Sequence, residues 1–285
     1  MSEINDLIPE GGAEIALEVY KDSLQPAMQT LGKTLGATFE FISIPFMGLQ
    51  YLNDKVKINL QHRLNQYKAN IEKIPEEKHV EVHPELGVPI IQRLSYTTND
   101  DIAQLFITLL TNASNIDMLS LAHPTFISII DRMSPDEARI LMYIQQEFLR
   151  KGDTYIPYVN FRAKPLKDNK SSEKKDSDFD FDEDFSYIEL RRWQTIIPQN
   201  VHLDFPDKIH LYFANLMSCG VLKDGEDLSL TEKMDSYKQI ESIYNLEAIQ
   251  KEYVPEKYSE VYADYSFFHV TELGQDFINA CVNEN

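Results

Sequence analysis

The chain is poor in the residues that staple or punctuate a protein. It has 2 cysteines, 10 glycines, 13 prolines and a single tryptophan in 285 residues. Two thiols, Cys219 and Cys281, cannot brace a chain of this length and lack the paired spacing of a zinc site. They read as reduced, packed thiols of a cytoplasmic protein. No apolar run approaches the roughly 18 residues of a membrane-crossing helix. The first residues, Met1-Ser2-Glu3-Ile4-Asn5-Asp6, are acidic where a secretory signal would be basic. Basic charge is scarce too. Residues 1–130 hold 9 Lys and Arg against 16 Asp and Glu, and the chain as a whole holds 27 against 46. Neither half carries the basic footprint that phosphate neutralisation requires, so nucleic acid is disfavoured as a partner.

Local catalytic signatures are absent as well. There is no phosphate-binding glycine loop, no Gly-x-Ser-x-Gly and no His-Glu-x-x-His. His79 and His83 are four apart but stand in a turn-rich segment before Pro84, where solvent-exposed histidines are expected rather than a metal pair. His123 precedes Pro124 at a helix start, where capping or packing explains it. The run Asp176, Asp178, Asp180, Asp182, Glu183, Asp184 lacks the glycine that a calcium loop needs at its sixth position. No catalytic residue, cofactor or metal is therefore assigned.

What is present is helical periodicity. Apolar residues recur at three- and four-residue steps over 12–36, interrupted at Pro26. The stretch 39–52 is the most apolar, and Pro45 breaks it. A buried connector, an interfacial membrane segment and a partner-binding surface all fit it. Its candidate contact residues are Phe41, Ile44, Phe46, Met47 and Leu49. Residues 53–72 predict a long amphipathic helix with a stripe of Val56, Leu60, Leu64, Tyr67 and Ile71. Lys55, Lys57, Arg63 and Lys68 make it the most basic element. The spacing reads as a solvated face, with contact to an anionic surface as the alternative.

Pro75, Pro84, Gly87 and Pro89 predict that the chain turns through 74–89. Helices follow over 98–113, with Thr98 and Asp101 as a capping pair, and over 123–133. A third opens with Ser134-Pro135-Asp136-Glu137, a strong start signature. Residues 164–187 break the composition and read as a mobile acidic loop. Beyond it come a helix over 206–219, strands at 221–222 and 265–270, and a closing helix capped by Thr271. With the helix from 135 these suggest a winged-helix-like domain with an insertion at 223–264 that is helical around 235–251. The fold class expected is mainly α, a helical domain over 1–133 followed by a winged-helix-like domain over 134–285 with a few short strands.

Several motifs recur together in a known family. They are Val19-Tyr20-Lys21-Asp22-Ser23-Leu24-Gln25-Pro26-Ala27, Leu31-Gly32-Lys33-Thr34-Leu35-Gly36, Leu52-Asn53-Asp54-Lys55-Val56-Lys57 and Ile74-Pro75-Glu76-Glu77. Leu94-Ser95-Tyr96, Leu109-Leu110-Thr111-Asn112-Ala113-Ser114, Ala122-His123-Pro124-Thr125-Phe126 and Ser134-Pro135-Asp136-Glu137-Ala138 continue the pattern. In their order and spacing the chain resembles the abortive infection alpha (Abi-alpha) family of bacterial proteins. The likeness covers about residues 12–150 and thins beyond, apart from Val270-Thr271-Glu272-Leu273-Gly274. It departs from the family at Val82-His83-Pro84, where two prolines are common.

The resemblance implies a bacterial defence protein directed against phage and brings no catalytic residues with it. The expected mode of action is binding without chemistry, to a protein partner (phage-encoded or a second copy). A membrane-acting toxin using residues 35–72 and a winged-helix DNA-binding regulator are the alternatives.

Overall fold

The helices of the N-terminal half bury apolar residues at helical spacing, and three of them begin at a side-chain cap. The computed structural model describes residues 34–35, 54–166, 187–226, 228–254 and 258–282. Its elements fall into two units. One runs to Gln145 and takes up the chain again from Gln275, and the other spans Gln146–Gly274. The expected boundary at 133/134 therefore falls inside the first unit.

In the first unit, α1 (Asp54–Ile71) packs against α2 (Pro84–Tyr96) and α3 (Asp100–Ala113). Leu60, Leu64, Tyr67 and Ile71 face inward at helical spacing and are all buried. In α3, Leu105 through Leu110 are buried without a break, so this helix is enclosed rather than amphipathic. Each such Leu, Ile or Phe contributes about 1.5–3 kcal/mol relative to exposure. α4 (Thr125–Ile130) and α5 (Pro135–Glu147) complete the order. Thr34 and Leu35 are fully enclosed, and the Thr34 carbonyl accepts from the Val82 N–H at 2.7 Å.

Two sequence expectations change here. The turn predicted over 74–89 ends at His83, and the prolines beyond it lie within α2. Pro84 takes the first helical position, where its missing N–H is not needed, and the His83 ring accepts from Glu85 N at 3.4 Å. Pro89 is tolerated inside the helix. The cap of α3 is Asn99, whose Oδ1 accepts from Ile102 N at 3.1 Å. Thr98 and Asp101 do not form the expected pair. Asp101 holds Arg139 at 2.8 Å instead. The cap at Ser134 forms as read: Ser134 N donates to Glu137 Oε2 at 2.6 Å, and Glu137 N donates back to Ser134 Oγ at 3.4 Å.

The second unit holds an antiparallel sheet in the order β2-β1-β4-β3, formed by β1 (Tyr155–Pro165), β2 (Ile188–Gln194), β3 (Leu222–Asp224) and β4 (Tyr258–Val270). β3 pairs with the end of β4, Leu222 opposite Val270. That strand pair was expected. β1 and β2 were not, and β4 starts well before residue 265. β1 runs along β4 from Tyr155 opposite His269 to Pro165 opposite Tyr258. Among the described residues the protein is mainly helical with this one small sheet.

The helices of the second unit are α6 (Ile197–Asn200), α7 (Ile209–Ser218), α8 (Met234–Tyr244) and α9 (Leu246–Tyr253), and α10 (Glu272–Cys281) closes the chain order. Tyr237 and Ile240 of α8 and Ile249 of α9 pack on Val159, Phe161 and Ala163 of β1 and Val261 of β4. On the other face Phe213 of α7 stacks on Phe268 at 4.4 Å. β1 is thus covered on both faces, which explains its nearly unbroken burial. The single helix expected around 235–251 is two helices, split at Asn245, which adopts φ 52° and caps α9 through Ala248 N at 3.1 Å. Gly220, at φ 75°, ends α7. The acidic run 176–184 lies outside the described residues.

Candidate functional site

The residues singled out in the sequence do not gather into one surface. Phe41, Ile44, Phe46, Met47 and Leu49 lie outside the described residues. Lys55 and Lys57 fall on the first turns of α1, and their side chains are outside the described ones. Arg63 is 2% exposed and points into the protein, away from any solvated face. Its guanidinium meets Asp100 Oδ1 at 2.7 Å, the Thr98 carbonyl at 3.2 Å and Gln66 Oε1 at 3.2 Å. One turn earlier Asn59 Nδ2 donates to the carbonyls of Leu94, Ser95 and Thr97. The pair at i and i+4 thus satisfies the carbonyls that end α2 and lead into α3. Lys68 is half-buried and lies 3.8 Å from Glu72.

The histidines serve the backbone. His79 Nε2 lies 3.2 Å from the Ile71 carbonyl and 2.9 Å from that of Ile74, closing the end of α1. It is partly buried rather than solvent-exposed. His123 Nδ1 accepts from Thr125 N at 3.2 Å, and its ring meets Phe126 edge-on. Among the described residues no cluster of His, Cys, Asp or Glu could hold a metal ion. Cys281 is fully enclosed, and burial pushes its thiol well above the usual value, away from the reactive thiolate.

Two polar constellations emerge that sequence spacing did not single out. The first is a groove of about 450 Å³ in the first unit. Gln66, Asn70 and Lys73 line it from α1, and Gln104, Thr108 and Thr111 line it from α3. Asn115, Lys78 and Asp117 close one end, and Ile74 and Pro75 supply an apolar wall. The signal was available: 66 and 70 share one face of α1, and 104, 108 and 111 share one face of α3. None of the hydroxyls in it meets a base. Thr108 Oγ1 accepts from Gln104 Nε2 at 3.3 Å, and Thr111 donates to the Ile107 carbonyl at 2.8 Å.

The second constellation centres on Asp224 in the second unit. Tyr158 donates its hydroxyl to Asp224 Oδ1 at 2.5 Å, and Trp193 Nε1 donates to Oδ2 at 3.2 Å. Glu226 N donates to Oδ1 at 3.2 Å, and Arg192 lies 3.9 Å from Oδ2 and stacks over the Trp193 ring. Trp193 adopts φ 55°, an outlier for a bulky residue, and its N–H is taken by Asn160 Oδ1 at 2.9 Å. Burial and the Asp224 carboxylate both hold the Tyr158 hydroxyl well above its usual value, so it stays protonated. Asp224 is spoken for by three donors and a long ion pair, and it holds a strained strand end in place. The sole tryptophan of the chain was the only sequence hint to this cluster.

The elements so far describe a mainly helical protein whose polar groups hold structure or line an open groove. The family model for abortive infection alpha matches residues 56–281, and the chain belongs to that family. The match extends through the sheet-bearing unit, past residue 150 where the motif resemblance thins. No curated protein matches the chain. No solved structure matches it either. Membership carries an abortive infection role.

Proposed function

We propose that this is a bacterial anti-phage defence protein that acts by binding a partner and performs no reaction of its own. Family membership supports the defence role. The observation that carries the mode of action is the groove between α1 and α3. Its polar side chains are amides, hydroxyls, two ammonium groups and the Asp117 carboxylate, which is paired with Lys78, and the two threonine hydroxyls meet an amide and a backbone carbonyl rather than a base. Such a lining recognises a ligand by hydrogen bonding and charge. The protein partner is phage-encoded or a second copy of the chain, met in the cytoplasm.

The membrane-acting alternative gains no support from the described residues. None of their helices is long and apolar enough to cross a membrane. The burial of Arg63 also removes one of the four cations from the basic face of α1. The DNA-reading alternative would use α7, where Lys208 and His210 stand beside Asp204 and Asp207, a balance unsuited to phosphate.

Phage challenge tests the proposal. Cells carrying the gene are expected to give fewer plaques than matched cells without it, for at least one member of a broad panel. Unchanged plaque counts across the panel would sink the reading.

A further inference from the structure

The groove between α1 and α3 is donor-rich because of how its amides are held. Arg63 Nη1 donates to Gln66 Oε1 at 3.2 Å, and Lys73 Nζ donates to Asn70 Oδ1 at 3.2 Å. Asp117 N donates to Asn115 Oδ1 at 3.1 Å. Each contact uses the carbonyl side of an amide, which leaves the NH2 groups of Gln66, Asn70 and Asn115, all lining residues, as donors for a ligand. Gln104 and Asn112 are the exceptions: the NH2 group of Gln104 donates to Thr108 Oγ1 at 3.3 Å and that of Asn112 to the Ala280 carbonyl at 2.8 Å.

Charge points the same way. Lys73, Lys78 and Asp117 are the charged groups of the lining, two positive against one negative, a net of +1 in a chain of −19. Lys78 is held against Asp117 at 2.6 Å, which leaves Lys73 as the exposed cation. These charges sit at one end. Arg63 meets Asp100 at the start of α3, whereas His79, at the end of α1, bridges to Asn115 beyond the end of α3. The two helices therefore run the same way, with the lysines, Asn70 and Asn115 toward their C-terminal ends and Gln66 and Gln104 nearer the other.

We propose that this groove binds a small molecule carrying a phosphate monoester. The phosphate sits among Lys73, Asn70 and Asn115, where its three oxygens match more donors than a carboxylate could use. The organic part extends toward Gln104, Thr108 and Gln66. A volume of about 450 Å³ lies within the range of small-molecule sites and is far more than a lone phosphate needs. The inference rests on reading the groove as a place of binding, and it adds a ligand to the partner already proposed.

The test is calorimetric titration of the purified full chain with adenosine monophosphate, glucose 6-phosphate, inorganic phosphate and an acidic peptide. At least one of the two organic phosphates is expected to bind, tighter than inorganic phosphate, and which one binds separates a nucleotide from a sugar phosphate. Lys73→Glu, an exposed change that leaves folding intact, should weaken that binding at least tenfold. Lys223→Glu, exposed in the second unit, should leave it unchanged. Four results would overturn the proposal: no binding of either organic phosphate at millimolar concentration, equal or tighter binding of inorganic phosphate, binding indifferent to Lys73→Glu, or binding of the acidic peptide alone. Plaque counts separate the two readings. Phosphate binding without phage protection defeats only the defence role, and protection without phosphate binding defeats only the ligand.

Discussion

The Arg63 guanidinium lies 2.7 Å from the Asp100 carboxylate, with the arginine almost wholly buried and the aspartate side chain 84% exposed. The pair is therefore asymmetric. Asp100 remains in water, where an ion pair is worth little. Arg63 is committed to the interior and depends on the Thr98 carbonyl and Gln66 as well.

Truncating the two residues should have unequal effects. Arg63→Ala leaves the Thr98 carbonyl short of a donor and opens a hole beside α2 and α3, at a cost of roughly 2–4 kcal/mol. Asp100→Asn should change stability by less than about 1 kcal/mol. Urea denaturation followed by circular dichroism separates them. Equal midpoints for the two variants would show that the interior contacts of Arg63 contribute nothing.

Gly274 is required by space rather than by backbone angle. A Cβ there would stand 2.1 Å from the Val221 carbonyl oxygen, in a turn where Thr271 Oγ1 donates to the Gly220 carbonyl and accepts from Gly274 N. Gly274→Ala must push backbone aside and should cost about 3 kcal/mol or more. A melting temperature within a degree or two of the unaltered protein would contradict this close approach.

Tyr67 sets a limit on alkaline stability. Burial, opposed by hydrogen bonds to Ser114 and Thr34, pushes its hydroxyl up from 10.0 to about 12. The folded form holds the proton more tightly than the unfolded form does. The resulting stability is therefore full below pH 10 and is lost as pH rises from about 10 to about 12. Denaturation midpoints should fall across that window, and Tyr67→Phe should flatten the fall. An identical slope in the variant would remove Tyr67 as its cause.

The two thiols should differ in reactivity. Cys281 is enclosed with a raised thiol, while Cys219 is partly exposed. An aromatic disulfide reagent is expected to label Cys219 in the native protein and Cys281 only on unfolding. Equal native rates, read by mass spectrometry, would place Cys281 in reach of solvent.

The sequence was most legible where short-range chemistry decides. The Ser134–Glu137 cap, the Thr271 cap and the apolar stripe of α1 all appear where periodicity and capping residues put them. Their partners lie within a turn or two, so spacing alone carries the information. β1 was not legible. Its residues are buried on both faces, so it lacks the alternation that marks a half-exposed strand, and the adjoining composition break obscured its end. α2 was hidden by Pro84 and Pro89, which read as turn residues until one of them takes the first position of a helix.

For the candidate site the division is sharper. The sequence by itself determined that this is an acidic, mainly helical chain without a local catalytic signature, and its motifs carried the family. Only the tertiary structure decided what the polar residues do. Arg63 looked like a surface cation because its neighbours in sequence include lysines, yet the Thr98 carbonyl, in the turn between α2 and α3, accepts from its guanidinium and holds it inside. The groove needed the same step. Gln66 and Gln104 are 38 residues apart in the sequence and line one opening because α1 and α3 pack side by side. Amide spacing names the faces of single helices, but which two faces meet is set by burial of the stripes behind them, a property of the whole core.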